Sequence, residues 1–248
     1  GRDLSQTYNA VVNYSTTFLN KNNIELMAGS EFYDIYQKGL SASGSCAPTD
    51  DFMDLQLTVS DKDRRNIDSY HSRQRILSFF TRFNYNYDEK YLFQVTLRRD
   101  GYSSLINNRF GTFPGVSVGW NMHKEPFMAS LSPIINKLKL KAGYGQNGNV
   151  SGISAYGLQG SYGTSKYNSA IGYQLSGLPF PDLLWERSAS YEFGFEATLL
   201  NKLDLTVGTY QRKTSDKISS FNLPATSGYT SLTTNNGSVQ NRGVEAEL

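Results

Sequence analysis

Long apolar runs are missing from this chain of 248 residues. No stretch approaches the roughly 18 consecutive apolar residues that a membrane-crossing helix needs, and nothing at Gly1 resembles a charged segment leading into an apolar core. A helical membrane protein is excluded. A β-barrel is not, because only alternate residues of its strands face lipid and mean hydropathy stays low. Cysteine is equally scarce. Cys46 is the single one, so no internal disulfide can form, and it sits in a Ser/Gly-rich stretch, Ser41 to Pro48, that reads as loop. Charge of one sign is lacking too: 24 basic and 22 acidic residues leave a net +2, with the basic residues scattered along the sequence. This sets nucleic acid aside as a partner.

Aromatic rings are plentiful instead, with 17 Tyr and 14 Phe against 2 Trp. So many amphipathic and apolar rings in a polar chain call for an interface. Period two organises them. Ala189, Tyr191, Phe193, Phe195, Ala197 and Leu199 share one face of an extended segment, while Glu192, Glu196 and Thr198 share the other. Leu203, Leu205 and Val207 alternate with Asp204 and Thr206; Leu138, Leu140, Ala142 and Tyr144 with Lys139 and Lys141; Tyr91, Phe93, Val95 and Leu97 with Gln94, Thr96, Arg98 and Asp100. The pattern predicts nine strands, over 6–19, 24–36, 75–87, 91–100, 111–121, 138–147, 188–200, 203–213 and 242–248. The fold class is therefore all-β, an antiparallel transmembrane β-barrel wall.

The links agree. Short ones at Asn20 to Asn23, Asp88 to Lys90 and Asn201 to Lys202 take turns with long ones at Gln37 to Gln74, Gly101 to Phe110, Gly148 to Arg187 and Thr214 to Asn241; Met122 to Lys137 is intermediate. Short turns on one side and long loops on the other is the arrangement of outer-membrane barrels, with the short side periplasmic. Strands of about 10 residues, at roughly 3.3 Å each and tilted near 45°, span roughly 23 Å, close to the apolar band of about 25 Å. An open nine-stranded sheet would leave unpaired edges in hydrocarbon, so further strands are expected outside residues 1–248. Trp120, Tyr87, Tyr91, Phe83 and Phe18, near the short-turn ends, suit an interfacial aromatic girdle.

Four stretches carry a family resemblance. Leu97 to Ser104 (LRRDGYSS) is followed by Asn107 to Trp120 (NNRFGTFPGVSVGW). Leu138 to Asn149 reads LKLKAGYGQNGN. Leu184-Trp185-Glu186 precedes the strand Tyr191 to Leu200, and Tyr210 to Glu245 contains Asn235 to Glu245 (NNGSVQNRGVE). In this order they resemble the SusC/RagA branch of the TonB-dependent outer-membrane transporters. The resemblance implies a plugged barrel of about 22 strands, of which residues 1–248 form part of the barrel domain, with plug domain, TonB box and last strands lying elsewhere. It implies import of a bulky nutrient, glycan or peptide, energised by TonB with ExbB and ExbD, beside a SusD-like surface lipoprotein in the outer membrane of a Bacteroidetes-type bacterium. A passive porin or adhesin barrel would share the periodicity.

Catalytic and cofactor signals are poor. His71 and His123 have no companion at metal-ligand spacing and read as incidental loop histidines. Asp50, Asp51, Asp54, Asp61 and Asp63 match no calcium loop, and Lys62, Arg64 and Arg65 read as solvated. Gly143 and Gly145 suggest a bend of the wall or a close backbone approach, with Gln146 to Asn149 as the turn out of the membrane. No catalytic residue, metal ligand or cofactor is assigned. Arg98, Asp100, Lys139, Lys141, Glu192, Glu196 and Asp204 are expected to face the lumen, because Arg or Lys on the lipid face at mid-membrane would cost about 2–4 kcal/mol. Tyr156, Tyr162, Tyr167, Tyr173 and Tyr229, in long loops, are candidates for stacking on a ligand or partner.

Overall fold

A computed structural model describes residues 1–49, 51, 54–58, 65–168, 170–229 and 231–248, with only the backbone of Lys166 and Ala225. Asp50, Asp61, Lys62, Asp63 and Arg64 lie outside the described residues. In chain order the strands are β1 (Arg2–Phe18), β2 (Asn22–Gly44), β3 (Arg65–Tyr87), β4 (Tyr91–Tyr102), β5 (Phe110–Asn121), β6 (Ile135–Asn149), β7 (Ser161–Tyr167), β8 (Ala170–Gly177), β9 (Glu186–Leu199), β10 (Leu203–Ser215), β11 (Ile218–Asn222), β12 (Ser231–Asn235) and β13 (Val239–Glu247). All nine anticipated strands are present, in one sheet ordered β1-β2-β3-β4-β5-β6-β9-β10-β13. No helix among the described residues is long and apolar enough to cross a membrane.

The links Leu19 to Lys21, Asp88 to Lys90 and Leu200 to Lys202 are tight turns. In each, the first two residues take φ between 51° and 54°, and Lys90 N–H donates to Tyr87 O at 2.8 Å and Lys202 N–H to Leu199 O at 3.0 Å. A left-handed pair of this kind matches the right-handed twist of the flanking strands. Asn and Asp tolerate it best, and Asn20, Asp88 and Asn201 each supply one member of a pair.

Register turns alternation into a two-sided wall. One ladder row runs Thr16, Ile24, Tyr85, Phe93, Val118, Ala142, Phe193, Thr209, Val244 through all nine strands, and its neighbour runs Ser15, Glu25, Asn84, Gln94, Ser117, Gly143, Glu192, Tyr210, Gly243. The first row is apolar and aromatic, the second largely polar. A cavity of about 1600 Å³ is lined from the polar face by Ser15 at one edge, Asn84, Gln94 and Glu192 in the middle, and Glu245 near the other edge. Residues so far apart can line one cavity only if the sheet curls, so the polar face is concave and the apolar face convex.

Several local expectations need correcting. β2 and β3 run past their predicted ends and stay paired up to Gly44 and Arg65, so the first long link shrinks to 45–64. His71 consequently lies in β3 and not in a loop. Gln146 to Asn149 is no turn: it continues β6, with Gln146 opposite Ala189 and Asn149 opposite Glu186. A Cβ on Gly145 would meet nothing within 4 Å and one on Gly143 only ordinary contacts at 3.9 Å, so no close backbone approach explains them; they leave the concave face open. The two longest remaining links are not structureless either, since β7 pairs with β8 and β11 with β12 as separate hairpins.

Most of the buried apolar residues gather at the long-loop end. Tyr102, Leu105, Phe113, Ile153, Leu158, Leu183 and Trp185 form one cluster, with Ile76, Val150, Phe180 and Ile218 packed against it. Phe113 lies opposite Arg98 on the polar face, and a Cβ on Gly111, opposite Asp100 on the same face, would run into the rings of Phe113 and Trp185. This core therefore sits inside the mouth of the curl.

Candidate functional site

All seven charged residues expected to face the lumen lie on the concave face, at the same parity as Gln94, Gly143 and Glu192. The wall pairs several of them with each other. Glu196 accepts from Lys141 at 3.0 Å and from Lys137 at 3.2 Å. Asp100 accepts from Arg98 Nε at 2.8 Å, while Arg98 also reaches Ser78 Oγ at 3.1 Å and lies 3.9 Å from Glu31. Asp204 accepts from Thr198 Oγ1 at 2.6 Å. Lys139 and Glu192 have no ion-pair partner among the described residues. Two further charged residues join these pairs, Lys137 at Glu196 and Glu31 at Arg98. Lys137 fell outside the predicted strand, and Glu31 was masked by the crowded Ser30-Glu31-Phe32 alternation.

The loop tyrosines are not gathered. Tyr162 and Tyr173 share one face of the β7–β8 hairpin, with Tyr162 opposite Leu175 and Tyr173 opposite Thr164; Tyr167, of the other parity, points the opposite way. These three are 73%, 81% and 87% exposed, whereas Tyr156 stands at the edge of the loop core at 47%. Tyr229 is half-buried beside the β11–β12 hairpin.

The most ordered constellation was visible as motifs but not as a site. Trp185 Nε1 donates to the carbonyls of Asn108 (3.1 Å) and Arg109 (3.3 Å). Asn107 Nδ2 donates to Asp182 Oδ1 at 2.6 Å, and Asn108 Nδ2 to Asp182 O at 3.0 Å. Asn235 brackets Leu184, accepting from its N–H at 2.8 Å and donating to its carbonyl at 3.0 Å. Glu186 accepts from Ile218 N–H at 3.2 Å and Asn149 Nδ2 at 3.3 Å. The NNRFG, LWE and NNG segments are thus one clamp, fastening three loops over the mouth. Asn side chains suit this work because each offers both a donor and an acceptor to stray backbone groups.

At the opposite end, rings line the apolar face. Tyr91 stacks on Tyr87 and on Trp120, with centroids 6.2 and 6.4 Å apart. Glu125, in the link between β5 and β6, accepts from Tyr91 Oη at 2.7 Å and Trp120 Nε1 at 3.2 Å. Those two donors, with Lys90 beside them, hold its carboxyl below the usual range. Wet polar tips on an apolar belt are what a membrane interface demands. His123 Nδ1 lies 3.1 Å from Leu138 O in the same link, and no group of three potential metal ligands occurs among the described residues.

A curled antiparallel sheet, apolar and aromatic outside and charged inside, with tight turns at one end and folded loops at the other, is a section of outer-membrane β-barrel wall. The chain belongs to the TonB dependent receptor-like, beta-barrel family, which matches residues 1–248. It is 30% identical to the TonB-dependent receptor P39 of Formosa agariphila over 95% of this chain and 23% of that protein. It is 28% identical to the TonB-dependent receptor SusC of Bacteroides thetaiotaomicron over 98% of this chain and 24% of SusC. The solved structure of the RagAB peptide transporter superposes with a TM-score of 0.89 at 28% identity, covering 98% of this chain and 27% of that one. The siderophore receptor PirA of Acinetobacter baumannii shares the fold, with a TM-score of 0.60 at 14% identity. The chain spans about a quarter of the length of the curated relatives it matches.

Proposed function

We propose that these residues form part of the wall and mouth of an active importer that carries a bulky nutrient, glycan or peptide, through the outer membrane, energised by TonB with ExbB and ExbD. The carrying observation is the likeness to SusC and to the RagAB peptide transporter across nearly the whole chain. In this reading the concave face is the lumen wall, and Arg98, Asp100, Lys139, Lys141, Glu192, Glu196 and Asp204 face water or a plug domain. The loop core narrows the mouth, and a SusD-like lipoprotein closes over it. Tyr162 and Tyr173 present rings that suit stacking on a sugar or packing on that partner.

Uptake of labelled oligosaccharide and oligopeptide pools by cells carrying the full-length receptor tests this. Loss of TonB abolishes uptake if the reading is right; uptake indifferent to TonB would point to a passive porin. Replacing 161–177 by a short Gly/Ser link removes the β7–β8 hairpin but spares Leu158, which a cut starting at Tyr156 would take from the core. That receptor should remain folded in the membrane while its uptake or lipoprotein docking falls at least severalfold.

A further inference from the structure

The convex face carries charge of nearly one sign. Arg73 and Arg75 on β3, Arg99 on β4, Arg187 on β9, Lys213 on β10 and Arg242 on β13 all share the parity of the apolar rows, and all are exposed. The acid of that parity among the described strand residues is Asp34, already bound by Arg73 at 2.5 Å and Arg75 at 3.5 Å. Arg99, Arg187, Lys213 and Arg242 have no carboxylate partner among the described residues. The short-turn rim differs, pairing Lys21 with Asp88, Lys124 with Glu89 and Lys90 with Glu125. The concave face is likewise mixed. These cations are scattered in the sequence; the register gathers them.

They also stand near one height. In a barrel tilted by 35–45°, with about 3.3 Å per residue and about 4.8 Å between strands, a level line slips roughly 1 to 1.5 residues per strand. Over the six steps from β3 to β13 that amounts to about 6 to 9 residues. The ladder row of Arg242 runs through Gln211, Tyr191, Tyr144, Val116 and Val95 to Phe83, eight positions from Arg75. Arg187 and Lys213 fall within about two residues of the same line, and the long side chain of Arg99 reaches up from slightly below it. The six cations thus form a collar where the apolar band ends on the long-loop side, which is the cell-surface side of such barrels.

We propose that this collar binds the phosphate groups of lipopolysaccharide in the outer leaflet. Guanidinium forks match phosphate oxygens bidentately, and a one-signed collar confined to the outer rim fits a leaflet that is itself anionic at that level. A protein partner would be expected to meet loops rather than the lipid-facing end of the band. The collar acts on anchoring and depth in the membrane, beyond the import reading, and its failure would leave that reading untouched.

The test uses the full-length receptor, folded in detergent and offered vesicles containing bisphosphorylated lipid A. The variant carries Arg99→Gln, Arg187→Gln, Lys213→Gln and Arg242→Gln, with its folding checked by heat-modifiable gel mobility; a second variant with Lys at the three Arg positions keeps the charge. Wild type should retain lipid A at least fivefold better than the Gln variant, lose that advantage with dephosphorylated lipid A, and keep most of it in the Lys variant. Neutralising Lys139 and Lys141 on the concave face should leave lipid A retention unchanged. Equal retention by wild type and the Gln variant, or equal retention of the dephosphorylated lipid, would overturn the proposal.

Discussion

Single side chains hold the two rims in different ways. At the mouth, Trp185 fills the loop core and its indole N–H satisfies two carbonyls of the 107–109 segment. Trp185→Ala should cost about 3–5 kcal/mol of local stability and open 103–109 and 178–185 to protease, while the strands keep their hydrogen-exchange protection. Equal protease sensitivity in both proteins would show that the clamp is not maintained by Trp185. At the other rim, the carboxyl of Glu125 titrates below its ordinary range. A carboxyl depressed on folding adds stability that is complete above its unfolded pKa, near 4.3, and is lost as the pH falls through the folded value. Acid titration of Trp120 fluorescence should therefore show a transition below that range, absent in Glu125→Gln. Both tryptophans could be read from the sequence as rings that need partners. The partners of Trp185 could not: they are 76 and 77 residues distant, and sequence spacing carries no trace of that.

A strand is judged by its two faces. Phe193 and Glu192 are adjacent, yet their rows run along opposite sides of the wall. Phe193→Lys should destabilise the full receptor in lipid vesicles by about 2–4 kcal/mol, read from urea unfolding, whereas Glu192→Lys on the concave face should change stability by under about 1 kcal/mol. Equal effects would mean that the faces are assigned wrongly. Alternation made the nine wall strands legible because lipid and water each demand their own residue type. The β7–β8 hairpin, Ser-, Gly- and Tyr-rich and exposed on both faces, meets no such demand and left no period to detect. The same holds where β2 and β3 continue past the band: Ser41 to Gly44 and Arg65 to Ser69 are held by backbone pairing to each other and not by burial. Glycines were the weakest guide. Gly145 reads as a bend of the wall or a point of close approach, and a Cβ there would face open space.

As a whole the sheet is open, since β1 and β13 stand at opposite edges of the order and do not pair with each other. Unpaired backbone at either edge would cost several kcal/mol per group in hydrocarbon. Residues 1–248 expressed alone and offered to vesicles should accordingly fail to give a heat-modifiable band, while the full receptor gives one; a resistant band from the fragment would mean that its edges find each other. The loop clamp has a consequence of another kind. Asn107 and Arg109, Asp182, Leu184 and Trp185, and Asn235 come from three separate stretches and meet at one surface. An antibody raised against the folded receptor at this spot would read a discontinuous epitope, so serum made against a linear peptide copied from any one stretch would stain denatured blots and pass over intact cells.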